Sequence, residues 1–291
     1  MTSALFESLP PARAQPSSEG AVRHQRADGV AELRFERRGE RSVLRHLYQS
    51  APLRVLFPQP EMGEPPLAAL VNTAGGLAGG DRLRVEARAC AATTATLCTP
   101  AAEKLYRSLG PETRIDSALH AEPGATLEWL PQETILFDGA RLRRRLDVDL
   151  APDAKLLAAE MLVFGRTARG EQFRQGSLHD SWRLRVGGRL RWADALRLAE
   201  PGEALADRFG FGGAGAFATL LYAAPDATAH LPALREAAGP LGAATLPREG
   251  VALIRWLGPS APVRAALAAA IPSLRAALLG LPPLLPRLWT S

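Results

Sequence analysis

The sequence predicts a mainly β fold of stacked or layered antiparallel and β-helix-like sheets, with a few helices that include a C-terminal helical segment. Three observations predict it. Apolar and polar residues alternate with period two from Ala31 to Trp192, the pattern of half-exposed strands. A turn followed by Ala-x-Leu returns at residues 93–97, 123–127 and 152–156, a step of about 30 residues that suits stacking layers. Helical periodicity appears only late in the chain.

Residues 1–22 carry Glu7, Pro10, Pro11 and Pro16, with no cationic start before an apolar run. They read as a flexible leader and not as a secretory signal, leaving residues 23–291 as one β-rich domain. Leu33 and Phe35 alternate with charged neighbours, as do Leu83 and Val85. Leu142, Leu146, Val148 and Leu150 alternate with Arg143, Arg145, Asp147 and Asp149, and Arg144 alone breaks the pattern. The Ala-x-Leu turns fit solenoid layers or, alternatively, three separate hairpins with common turn chemistry. Segment 182–192 reads as a hairpin around Gly187 and Gly188. Its faces match only if Leu184 opposes Trp192 and Val186 opposes Leu190, which predicts an odd-length loop or a bulge. Pro232 to Ala238 is a short helix closed by Gly239. Val263, Ala266, Leu267, Ala270, Ile271, Leu274 and Leu278 make a helical stripe ending at Gly280, which Pro272 should kink or split. That stripe covers a core or, joined by Leu281, Leu284, Leu285, Leu288 and Trp289, docks a partner.

No run of about 18 uncharged apolar residues occurs, so the sequence predicts no membrane span and a cytoplasmic address by default. The net charge of +5 would suit nucleic acid, but only Lys104 and Lys155 are lysines and the arginines are interspersed with acids. The sequence therefore predicts no nucleic-acid partner. Cys90 and Cys98 form no CxxC pair and read as small buried residues.

Residues 75–81, Gly-Gly-Leu-Ala-Gly-Gly-Asp, resemble a phosphate loop only superficially. A strand and not a helix follows Asp81, so the glycines are read as a tight turn or close backbone approach. No nucleophile elbow or zinc-binding histidine pair occurs, and the sequence predicts no enzyme. Glu128 and Glu133 could serve a paired-carboxylate hydrolase. The blocks 99–108 (Thr-Pro-Ala-Ala-Glu-Lys-Leu-Tyr-Arg-Ser) and 127–140 embed charges among large apolar residues. Such charges must pair or line a wet passage.

These blocks resemble the urease accessory protein family called UreD, or UreH in some organisms. The matching residues are Gly75, Gly76, Gly79, Gly80 and Asp81, then Lys104, Tyr106, Arg107 and Ser108, then Pro131, Gln132, Glu133 and Phe137. The stretch 165–173 and the ending 280–289 also match, so the likeness covers about residues 31–289. Ala74 stands where the family often has proline. The resemblance implies a mostly β scaffold that joins UreF-like and UreG-like (GTPase) partners on apo-urease and enables nickel incorporation. It implies no tightly bound cofactor, with nickel a transient cargo. Nickel prefers imidazole, carboxylate and thiolate ligands, which makes Glu103, Asp138, Glu160 and Glu171 candidate contacts. The alternative is a structural partner-binding β-protein that never touches metal.

Overall fold

The computed structural model describes residues 26–289; the leader expected over residues 1–22 lies outside them. Strands hold 48% of the described residues and helices 17%. The chain opens with β1 (Asp28–Arg38) and β2 (Arg41–Ser50), an antiparallel pair, followed by β3 (Leu53–Leu56) and β4 (Leu67–Asn72).

A solenoid follows. Its first coil is β5 (Arg82–Ala89), β6 (Thr94–Cys98) and β7 (Glu103–Leu105). The second is β8 (Thr113–Ala121), β9 (Thr126–Leu130) and β10 (Thr134–Leu136). The third is β11 (Arg141–Leu150) and β12 (Lys155–Phe164), closed by a 3-10 turn at Thr167–Arg169. Each coil lays its first strand in one sheet and its second in the facing sheet, parallel to the coil before. Arg82 pairs with Arg114 and Thr113 with Leu142, steps of 32 and 29 residues. The Ala-x-Leu repeat is therefore a repeat of solenoid corners, not of hairpins. Between the first two coils its register slides by two, so Ala95 meets Leu127 and not Ala125. An even slide keeps every side chain on its face, which is why the core tolerates it.

The chain then leaves the solenoid through β13 (Ser177–Val186), β14 (Arg189–Leu198), α1 (Pro201–Ala206), β15 (Ala216–Ala223), α2 (Leu231–Ala238), β16 (Gly242–Arg248), β17 (Val251–Gly258) and α3 (Ser260–Leu274). The first sheet has the order β14-β13-β11-β8-β5-β1-β2, and the second runs β16-β17-β15-β12-β9-β6-β4-β3. Their edge strands are antiparallel, as the alternating patterns predict. In the β13–β14 hairpin a bulge after Leu184 sets Leu184 opposite Trp192. The loop is nonetheless the two-residue Gly187-Gly188, both with positive φ, and Val186 faces Arg189, not the expected Leu190.

Two apolar layers result. Leu33, Phe35, Leu83, Leu127, Leu142, Leu146 and Leu156 fill the space between the sheets. Along the third side Leu77, Leu105, Leu136 and Phe164 stack coil upon coil, all buried. The outer face of the second sheet, with Met161, Leu220, Tyr222, Ile254 and Trp256, is covered by Leu234 of α2 and by Val263, Leu267 and Ile271 of α3. β12 is buried on both faces and accordingly reads as a nearly continuous apolar run. The C-terminal stripe is thus a core cover. Pro272 does not split α3, which runs on to Leu274 and then widens into a π turn at Arg275–Leu279. By length and a mean hydropathy of 1.3, Ser260–Leu279 is the one described helical stretch apolar enough to cross a membrane, but its stripe packs on the second sheet. Among the described residues α2 and α3 pack on the second sheet, and neither covers the outer face of the first.

Candidate functional site

The glycine turn is built around Asp81, which is buried. Its carboxylate accepts from the Ala78 N–H at 2.7 Å and the Ala27 N–H at 2.9 Å. Leu77 sits between strands, donating its N–H to the Lys104 carbonyl at 2.7 Å and accepting from the Tyr106 N–H at 2.8 Å. Two glycines are there because nothing larger fits. A Cβ on Gly76 would stand 2.6 Å from the Tyr106 ring, and one on Gly79 2.1 Å from Ser108 Oγ. Gly75 and Gly80 have positive φ. Residues 75–81 thus form one corner of the solenoid, with strand β5 and no helix after it.

Blocks 99–108 and 129–137 are successive rungs of the third side, with Lys104 beside Ile135 and Leu105 beside Leu136. Outside this ladder Tyr106 meets Phe137 edge-on at 5.2 Å, and the Arg166 guanidinium lies 4.4 Å over the Phe137 ring. Asp138 accepts from the N–H groups of Arg174 and Gln175 and from Arg107 Nη2 at 3.1 Å. Glu171 accepts the Asp138 N–H at 2.8 Å and pairs with Arg166. Burial would raise the Glu171 carboxyl, but the hydrogen bonds from Arg166 and Asp138 outweigh it and hold it below the usual range.

The second block also clasps the C-terminal layer. Gln132 Nε2 donates to the Leu288 carbonyl at 2.7 Å, and its Oε1 accepts from Arg264 Nη2 at 2.9 Å. Glu133 pairs with Arg264 Nε at 3.1 Å. Arg264 also lies 5.7 Å over Trp289, whose Nε1 donates to the Leu130 carbonyl at 2.9 Å. Pro131 is half-buried beside this clasp.

Two ionic networks are buried. On the helix side of β9, Glu128 and Arg275 are fully enclosed and paired at 2.7 and 3.0 Å. Thr96 Oγ1 donates to Glu128 at 2.5 Å, while Arg275 also grips Glu64 at 2.6 and 3.1 Å and the Leu284 carbonyl at 2.5 Å. The π turn aims the arginine inward. Cys98 lies one strand position pair further along β6; burial first, then the Glu128 charge, pushes its thiol up to about 12. Between the sheets, Arg144 forks onto Asp180 at 2.9 and 2.6 Å and reaches Thr134 Oγ1 at 3.2 Å. Glu160 Oε1 accepts from Trp129 Nε1 at 3.0 Å. Its Oε2 lies 3.1 Å from Arg144 Nη2 without an aligned hydrogen bond. Burial pushes the Glu160 carboxyl up to about 7, because one arginine serves two acids.

The four carboxylates named as nickel contacts do not converge. Glu160 belongs to the Arg144 network, and Asp138 and Glu171 share one corner. Glu103 is half-buried against Asn72 Nδ2, 3.0 and 3.1 Å away, and burial raises it to about 7. Among the described residues no group of three His, Cys, Asp or Glu is placed to hold a metal ion. Glu128 and Glu133 face different arginines, so these two do not form the carboxylate pair that hydrolysis would need. Cys90 is only half-buried and accepts from Arg34 Nε at 3.1 Å, unlike the buried pair expected. A cleft of about 1020 Å³ opens beside α1 between Phe164, Phe173, Phe211 and Pro259, and no residue of the three motif blocks before 165 lines it. Sequence reasoning missed Arg144, Asp180, Arg264, Arg275 and Glu64 as partners. The signals were present: Arg144 broke a strand's alternation, and Arg275 interrupts a run that otherwise reads as leucine and alanine.

Comparison with known proteins matches the model of the family described as UreD urease accessory protein over residues 27–290. The chain is similar to the urease accessory protein UreD of Granulibacter bethesdensis, 52% identical over 240 residues, 81% of this chain and 100% of that protein. It is also similar to the UreD proteins of Azorhizobium caulinodans (47%, covering 82% of this chain and 89% of the relative) and Magnetococcus marinus (44%, covering 91% and 94%).

Proposed function

Because this chain belongs to the UreD urease accessory protein family, we propose that it acts as a non-enzymatic scaffold in urease maturation, joining UreF-like and UreG-like (GTPase) partners on apo-urease while nickel is delivered. The observation that carries this reading is the family match along nearly the whole described chain. The geometry supports a scaffold. The motif blocks lock a rigid solenoid and clasp its C-terminal layer, and their carboxylates are engaged by arginines, by backbone N–H groups or, for Glu103, by the Asn72 amide. Nickel is a passing cargo in this account. Glu103, Asp138, Glu160 and Glu171 lie singly or as one pair, too few donors together for a tight site. The work takes place in the cytoplasm.

The test is a deletion strain. Its urease should be present at normal abundance, carry little nickel by elemental analysis and regain metal when this chain is restored. Urease with full nickel and activity in that strain would overturn the reading. Separately, the tagged chain should co-purify with a UreF-like protein. Replacing Glu103 by Gln and Asp138 by Asn in that complex separates the metal-contacting account, in which delivery slows, from a purely structural one, in which it does not.

A further inference from the structure

On the outer face of the first sheet, strand register brings like charges into one line. Arg82 pairs with Arg114, Arg114 with Arg143, Arg143 with His179, and His179 with Arg197. The four arginines are exposed and His179 is half-buried. Like charges directly opposite each other on neighbouring strands destabilise a sheet. The next row shows what balance looks like. Asp28 of β1 stands opposite Arg82 at the end of the line but turns to Arg84 of the next row, 3.1 Å away, where Arg145 also pairs with Asp116 at 3.4 Å and Asp147 at 2.9 Å. Among the described residues the basic row is reached by one carboxylate, Glu112, at 2.9 Å from Arg114 and 3.9 Å from Arg143. A groove of about 450 Å³ runs beside it, walled by Arg143, Arg145, His179 and Arg183 and floored by Ala193 and Ala195.

We propose that this row is a docking site for an acidic helix of a protein partner, lying across the strands with one stripe of Asp and Glu against the arginines. The spacing selects the helix. Adjacent strands lie about 4.8 Å apart, close to the ~5–6 Å between residues i and i+3 or i+4 on a helix surface. Five rungs span about 19 Å, or about 13 helical residues at 1.5 Å each. The small floor residues leave room for a helix to approach. Asp116, Asp147 and Asp194 stand beside the row or groove and repel any anion off the row; a helix can confine its acids to one stripe over the arginines, which a uniformly charged nucleic-acid strand cannot do. The site follows from register and charge alone and does not depend on the nickel-delivery reading.

The experiment is fluorescence anisotropy with the full chain and a labelled helical peptide of about 14 residues carrying Glu at every third or fourth position. Binding at low salt should weaken about tenfold between roughly 50 and 200 mM salt, as expected for exposed charges. It should also fall about tenfold or more in the Arg82→Gln, Arg143→Gln, Arg197→Gln variant. The control Arg37→Gln, Arg38→Gln, Arg41→Gln should bind like the parent. The row variant should melt no lower than the parent at low salt, since repulsion is relieved. The site is overturned if the peptide does not bind, if row and control variants weaken alike, or if the row variant melts several degrees lower. It is likewise overturned if single-stranded DNA of equal charge binds more tightly through the same arginines.

Discussion

Glu160 is held by one good donor, Trp129, and by an arginine that Asp180 already occupies. Its carboxyl stands near 7 in the fold against 4.5 when free, so between those values the native chain binds more protons than the unfolded one. Stability therefore falls as pH rises from about 4.5 to 7, and Glu103 adds a slope of the same sign. Glu160→Gln keeps an acceptor for Trp129 and removes the charge. Urea midpoints measured from pH 5 to pH 8 should show a shallower decline than the parent. A variant that loses more stability at pH 8 than at pH 5 would show instead that the anion is needed. Arg275 poses the opposite problem. It is fully buried with Glu128, and removing it strands a carboxylate. Arg275→Met should cost about 3–5 kcal/mol in chemical denaturation. The double change Arg275→Met, Glu128→Leu should recover much of that, whereas additive losses would mean that packing, not charge, dominates.

At the scale of elements, strands were legible because their faces differ: Leu83 and Val85 are buried and Arg82 and Arg84 exposed, as alternation predicts. The repeat was legible as a period, but its pairing was not. Whether Ala95 meets Ala125 or Leu127 is decided by packing between coils, and both choices keep the same face inward. The third side was invisible. β7 and β10 are three residues each, too short for a period, and their role shows only in the stacked Leu77, Leu105, Leu136 and Phe164. The partners of the embedded charges were out of reach for a different reason, since Glu128 and Arg275 are 147 residues apart in sequence. The Gln132–Glu133 corner joins the solenoid to α3 through Arg264, with Trp289 as its latch. Trp289→Ala should cost about 3 kcal/mol, typical of an emptied aromatic site. Hydrogen exchange should accelerate in α3 and residues 281–289 while β8, β9 and β11 stay protected. Uniform acceleration across the solenoid would show that the tail is part of one cooperative unit.

On the scale of the whole molecule the chain is three layers, two sheets and a helical cover, and the layers depend on each other unequally. The solenoid closes its own interior, whereas the outer face of the second sheet relies on α2 and α3 to hide Met161, Leu220, Tyr222, Ile254 and Trp256. Removing everything after Gly258 would leave α2 in place but expose the part of that face under Val263, Leu267 and Ile271 of α3, and exposed apolar patches drive association. It would also take away Arg275, leaving Glu128 without its charge partner, and Arg264, leaving Glu133 likewise. The truncated chain should therefore aggregate on expression, and any soluble fraction should bind a hydrophobic dye. Adding Glu128→Leu separates the two causes. If exposed area alone is responsible, the second change leaves solubility unaltered. If the stranded carboxylate opens the solenoid as well, Glu128→Leu should restore protection of β6 and β9 amides even though the patch remains. A truncated chain that stays monomeric and dye-negative would show that the second sheet needs no cover beyond α2, and that the C-terminal layer serves the interface with partners instead of the core.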